Sequence, residues 1–279
     1  MLWEDLREEE FKEAVEKSKG VCIIPFGSLE MHGQHLPLGT DTIIAREVCR
    51  LAAEEEYAVV FPTIACGDMI GSRHAGEFSY SPELMMQILK ETCNEVYRNG
   101  FDKIIIYIGH GGNGAVTSYF LRAYNHEKTP YTVFRVDINL DDCAPKALLE
   151  KGYDYLTEDD KKVLKDFVDE KKIYGHACFV ENGLVYAVKP ETVRLDKIRD
   201  LDGHSTHKYD EFYKNGIKAA NAWSGDFPNM YEGDPHDGMN ERIAKAMMEA
   251  AAEKLASQIK FIKEENITRE ARAEKMKKF

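Results

Sequence analysis

Four stretches of the chain are apolar at nearly every position rather than at every second one. They are GVCIIPFG at 20–27, YAVVFPTI at 57–64, KIIIYIG at 103–109 and YTVFRVDI at 131–138. Continuous runs of this length, rich in β-branched residues, predict parallel strands covered by helices on both faces. Between them, apolar positions recur at helical spacing, which predicts helices over 40–55, 82–99 and 113–127. Ser81 caps the second, Pro82 opens its first turn, and Asn99-Gly100 stops it. A long amphipathic helix is expected over 238–263, while 139–172 is charged, less regular and partly helical, as an insertion or a lid flank would be. Regular β-α alternation predicts an α/β fold, a three-layer α/β/α arrangement with a mostly parallel central sheet. No repeat or low-complexity linker interrupts it. Residues 1–265 therefore read as one domain, and 266–279 as a charged tail, solvated or frayed.

Charge and cysteine usage narrow the partners. A net charge of -12 argues against nucleic acid and against an anionic membrane surface. No apolar run approaches the roughly 20 residues of a membrane span. The N-terminus MLWEDLREEEF lacks a signal peptide's basic-then-apolar pattern. Six scattered cysteines without a CxxC pair read as reduced thiols. A cytoplasmic protein with a small-molecule substrate is expected.

Ligands of open α/β sheets bind at the carboxyl ends of the strands. After the first strand come Glu30 and His32, two apart and so on one side of an extended backbone, then His35 and Asp41. Carboxylates and imidazoles at this density suit a divalent metal. Taken singly they have blander uses: Asp41 as a helix cap, His35 as a packed loop residue. After the third strand comes GHGGNG at 109–114. Its glycines spell G-x-G-x-x-G, and Asp137 ends the next strand where a ribose-binding acid would stand. That dinucleotide reading leaves Glu30, His32 and Asp41 unexplained, whereas a metal site uses His110 as well. A third cluster holds His176 and Glu181, whose spacing alone does not place them on one helical face.

GSLEMHGQHLPLGTD, GHGGN, HACFVEN and EGDP occur in that order, and with GSRHAGEFS they resemble the motifs of the creatininase (creatinine amidohydrolase) family. The resemblance runs from about residue 20 to 250. It implies the three-layer fold, a centre of two divalent ions, zinc and/or manganese with iron a further candidate, and a homo-oligomer, often a hexamer. Carried over by position, it implies metal ligands at Glu30, His32, Asp41, His110 and Glu181, with Asp41 as the bridge. Catalytic roles fall on His176, in proton transfer, and on Glu181, while His74 lines the pocket.

The chain also departs from the family pattern. Ile108 stands where Asn is frequent, Cys178, Asn182 and Gly183 where Gly, Thr and Ser are usual, and Gly112 where true creatininases carry a glutamate. The segment 139–175 contains no tryptophan to cover a flat ring, so creatinine itself is not expected as substrate. Tyr153 and Tyr155 suggest a pocket for a more hydroxylated molecule. The expected activity is metal-dependent hydrolysis of a small polar amide, formamide or cyclic substrate. Ring opening of a cyclic keto-polyol is the alternative. A non-catalytic metal-binding protein and a dinucleotide-dependent oxidoreductase are more distant ones.

Overall fold

The computed structural model describes residues 1–69, 73–124, 126, 129–200 and 202–278. The apolar runs become strands β1 Val21–Phe26, β2 Val59–Val60, β3 Lys103–Ile108 and β4 Thr132–Asp137. They form one parallel sheet in the order β2-β1-β3-β4. Strand β2 is far shorter than the apolar run 57–64. Phe61 and Ile64 still donate to Ile23 and Pro25 of β1, but Pro62 between them has no N–H to continue the ladder.

Helices α1 Glu8–Lys17, α2 Thr40–Glu55, α3 Pro82–Arg98 and α4 Asn113–Tyr124 alternate with the strands. The predicted end of α4 at 127 reaches residues 125 and 127, which lie outside the described residues. Then follow α5 Pro145–Lys151, α6 Glu158–Asp169, α7 Phe179–Tyr186, α8 Asp210–Lys214, α9 Ala222–Asp226, α10 Glu241–Glu264 and α11 Ile267–Lys278. Helix α10 starts three residues later than its apolar pattern suggested, because Asn240 caps the N–H groups of Arg242 and Ile243. The tail is helical rather than frayed: Arg272 of α11 donates to the Asp102 carboxylate at 3.0 Å and its carbonyl at 3.2 Å.

Alternate strand residues face two cores. Val21, Ile23, Ile105 and Tyr107 pack with α2, α5, α6, α7 and α10. Cys22, Ile24, Ile104 and Ile106 pack with α1, α3 and α4. This is the three-layer arrangement, and it corrects the view of 139–172 as a lid flank. Leu148, Leu156, Leu164 and Phe167 belong to the core under α10, leaving only the start of the segment near the strand ends. Register sets the site. Phe26 pairs with Ile108, and Ile108 with Asp137, so the carboxyl ends of β1, β3 and β4 are level.

Candidate metal centre

Glu30 and His32 lie on the loop leaving β1, Asp41 in the first turn of α2, His110 just past β3, and Glu181 in the first turn of α7. Glu30, His32, Asp41 and His110 are buried, and Glu181 is nearly so. Their donor atoms fall into three groups that could hold an ion: Glu30-Asp41-His110, His32-Asp41-Glu181, and Glu30-His32 together with His176. Asp41 belongs to the first two and divides its oxygens between them. Its Oδ2 lies 3.0 Å from His110 Nδ1 and its Oδ1 3.1 Å from His32 Nε2. Glu30 Oε2 is also 3.0 Å from His110 Nδ1, and Glu181 Oε2 is 3.9 Å from His32 Nε2.

The far nitrogen of each ring decides what the near one can do. His110 Nε2 donates to the Asp68 carbonyl at 2.9 Å, and His32 Nδ1 to the Glu30 carbonyl at 3.1 Å. A neutral imidazole with one N–H so engaged carries a lone pair on its other nitrogen. At His110 that nitrogen faces two carboxylate oxygens at once, and one of them, Glu30 Oε2, is buried without any hydrogen bond of its own. Ser28 Oγ donates to Asp41 Oδ2 at 2.5 Å, but the lone pair of a neutral His110 and Glu30 Oε2 face each other with no proton between them. A cation can join them, and nitrogen and carboxylate donors with carbonyl-oriented histidines fit zinc or manganese.

The electrostatics point the same way. Burial opposes charge on His32, but the Asp41 carboxylate overrides it and lifts the ring to about 10. Burial likewise opposes charge on His110, and the Asp41 and Glu30 carboxylates beside it raise it well above the usual range. Burial pushes Glu181 up to about 7, with His32 pulling the other way. The carboxylates demand positive charge between them.

His176 completes the site from the segment before α7. Its ring lies 4.0 Å from that of His32, and its Nε2 donates to the Met31 carbonyl at 2.9 Å, leaving Nδ1 as an acceptor. Burial and the charge of His32 hold it down at about 4, so it is a neutral base. Ala177 follows at φ +56. Its N–H donates to Glu181 at 2.5 Å, and its carbonyl accepts from His35 Nε2 at 2.8 Å. His35 thus braces the turn and ligates nothing here, the packed-loop role it could have had.

These groups open on a cavity of about 330 Å³, lined also by Ile138, Leu140, Trp223 and Glu232. Trp223 stands edge-on to His176 at 5.1 Å. An aromatic wall therefore exists, supplied from α9 rather than from 139–175. Tyr153 and Tyr155 are not in this lining. Tyr155 Oη donates to Glu249 of α10 at 2.5 Å and the Tyr153 ring lies tilted against Tyr155 at 5.4 Å, because α5 and α6 turn that segment toward α10. His74 is exposed, its N–H on Glu77, and also lies outside the lining. Residues 71 and 72 of its motif lie outside the described residues. Asp137 is occupied by Arg135 at 2.6 and 2.9 Å. A Cβ on Gly114 would meet that guanidinium at 2.7 Å, so this glycine makes room for Arg135 and the dinucleotide reading loses its acid.

Sequence reasoning missed Asn113, Asp68, Trp223 and Glu232. Buried Asn113 donates to the Gly27 carbonyl at 3.0 Å and accepts from the Asp68 N–H at 3.0 Å, tying the end of β1 to the loop that orients His110. Its place in GHGGN was the available signal. Trp223 is one of two tryptophans, and Glu232 begins EGDP.

A family model described as "Creatininase: Creatinine amidohydrolase" matches residues 4–259. A creatinine amidohydrolase of Pseudomonas putida is 22% identical over 223 residues, 75% of this chain and 79% of that protein. A mycofactocin precursor peptide peptidase of Mycobacterium tuberculosis is 37% identical over 108 residues, 34% of this chain and 42% of that protein. A solved tryptophan-to-phenylalanine creatininase variant superposes with a TM-score of 0.70 at 18% identity, covering 95% of this chain and 99% of its own. A manganese creatininase and a variant of Zn-Zn type share the fold with TM-scores of 0.69 and 0.68.

Proposed function

The chain belongs to the creatininase (creatinine amidohydrolase) family, and we propose that it is a two-metal hydrolase of a carbon–nitrogen bond in a small polar amide. The observation that carries this is Asp41, which belongs to two of the ligand groups and turns one oxygen to the histidine of each. Glu30, Asp41 and His110 would hold one ion, and His32, Asp41 and Glu181 the other. Two divalent ions in such a site polarise a carbonyl and lower the pKa of a shared water. Three carboxylates against two such ions leave a residual charge of about +1, which favours hydroxide as nucleophile.

The chain's own residues supply the rest. His176 lines the cavity, and its neutral Nδ1 accepts a proton from the attacking water and returns it to the leaving nitrogen. The Met31 carbonyl keeps that nitrogen aimed by holding Nε2–H. Trp223, Ile138 and Leu140 give the cavity apolar walls that orient a substrate and exclude water. A volume of about 330 Å³ sits at the small end of ligand cavities. One relative's name specifies creatinine and another's a peptide. An amide C–N bond is what the two have in common.

Metal analysis, followed by a screen of lactams, formamides, short peptides and cyclic keto-polyols before and after chelation, tests the reading. Chelator-sensitive C–N hydrolysis restored by zinc or manganese is expected. Turnover of cyclic keto-polyols alone would move the activity to ring opening. Failure to take up zinc or manganese would refute both.

A further inference from the structure

We propose that Glu232, clamped by Trp223, selects substrates that carry a protonated amine beside the amide to be cleaved. This rests on the hydrolase reading above. The strip holding Glu232 is paired to the His176 segment by reciprocal backbone bonds. The His176 N–H donates to the Glu232 carbonyl at 3.1 Å, and the Glu232 N–H to the His176 carbonyl at 2.8 Å. The carboxylate is therefore fixed relative to the His176 wall of the same cavity.

Trp223 Nε1 donates to Glu232 Oε2 at 3.0 Å, which orients the group and leaves Oε1 to accept. Gly175 makes room for it: a Cβ there would lie 2.7 Å from the carboxyl carbon and 2.8 Å from Oε2. Among the described residues no Lys, Arg or His pairs with this carboxylate. The other acids of the site, Glu30, Asp41 and Glu181, all face histidines in the metal-ligand clusters, and Glu232 belongs to none of those clusters. It is thus the pocket carboxylate left over once the ligands are assigned. A half-buried carboxylate beside an indole recognises an ammonium by a charge-assisted bond and by the ring. A neutral substrate leaves its charge uncompensated, so the preference includes a penalty against the wrong ligand.

Calorimetry on the zinc-loaded protein at neutral pH tests this with hydroxamates, which anchor on metal ions. The probes are ω-amino hydroxamates with one to three methylenes and their ω-hydroxy counterparts. At the best chain length the amine should bind about tenfold or more tightly than its hydroxy partner, and Glu232→Gln should bring that ratio to about one. Glutamine keeps an oxygen for the Trp223 N–H, so the wall should hold its shape. No amine preference in the wild type would overturn the proposal. So would a preference that persists in E232Q, which would assign the amine to the metals, or loss of metal from E232Q, which would make Glu232 a ligand. If neither hydroxamate series binds the zinc-loaded protein, the metal-hydrolase reading fails and takes this proposal with it. Binding of both series without a preference sinks the proposal alone.

Discussion

Replacing Gly112 by alanine adds one methyl group at the point where the protein has no space for it. A Cβ there would stand 2.2 Å from the Asp68 carbonyl oxygen and 2.5 Å from His110 Nε2. Carbon needs about 3.5 Å from such atoms, so the carbonyl and the ring must retreat by roughly 1 Å or more. Those two atoms are the partners of the 2.9 Å bond that turns His110 Nδ1 toward Glu30 and Asp41. Neither retreats freely, because Asp68 is tied to Asn113 and His110 is buried. Overpacking of this kind costs about 1–3 kcal/mol. Disturbing an outer partner of a ligating histidine weakens metal binding about 10–100-fold, or ~1.4–2.7 kcal/mol, so both estimates have the same size. Gly111→Ala is the matched control, since a Cβ at 111 meets nothing within 4 Å. Chelator-competition titration of zinc should show the 10–100-fold loss in Gly112→Ala and less than about twofold in Gly111→Ala. Melting curves in excess chelator separate packing strain from lost affinity. Wild-type zinc affinity in Gly112→Ala, or equal losses in the two variants, would refute the reasoning.

Asp41→Ala should abolish activity more completely than Glu181→Ala, because both clusters lose a ligand; one tightly held ion and near-normal turnover in Asp41→Ala would remove the bridge. His176→Ala should lower kcat about 10²–10⁴-fold while elemental analysis finds the metal content kept; loss of metal would make His176 a ligand. Metal uptake should release protons and weaken as pH falls, because His32, lifted to about 10, must give up its proton to ligate; affinity flat from pH 8 to 6 would contradict this. Asp160 accepts from Arg242 at 2.6 and 3.0 Å and from the Thr157 N–H at 2.9 Å, and these bonds, that to Arg242 foremost, hold its carboxyl below the usual range. Its contribution is thus present above the unfolded value of about 4 and is lost as pH falls below it. Asp160→Asn should cost about 1–3 kcal/mol near pH 7 and progressively less below pH 4 in urea melts, and a constant difference down to pH 2 would contradict the assignment.

What the sequence made legible follows from where the information lies. Helix α2 begins and ends at 40 and 55 as its periodicity predicts, and Ser81 caps α3 as its position before Pro82 requires. The convergence of the proposed ligands was legible because four of the five follow two strand ends within short, dense motifs, and level strand ends bring such residues together whatever the loops do. The atoms that aim them were not. Asp68, Glu30 and Met31 each contribute a backbone carbonyl to a histidine, and a carbonyl has no side-chain signature to read.

The cavity walls were illegible for a different reason. Tyr153 and Tyr155 were placed at the site because the resemblance puts substrate-covering aromatics in the segment after β4. Here that segment spends its apolar residues on α10. Leu148, Leu164 and Phe167 turn inward to the core, and the tyrosines are carried to Glu249. The wall then has to come from elsewhere in the chain. It comes from Trp223, some 70 residues later, brought beside His176 by the backbone pairing of Glu232 with the His176 segment. Core packing and site lining compete for the same aromatic residues, and only the three-dimensional partner of each one shows which use it serves. The proposed ligands are less ambiguous, because ionisable groups are seldom buried together without a partner for their charge. That is why the metal chemistry of this chain was easier to read than its substrate.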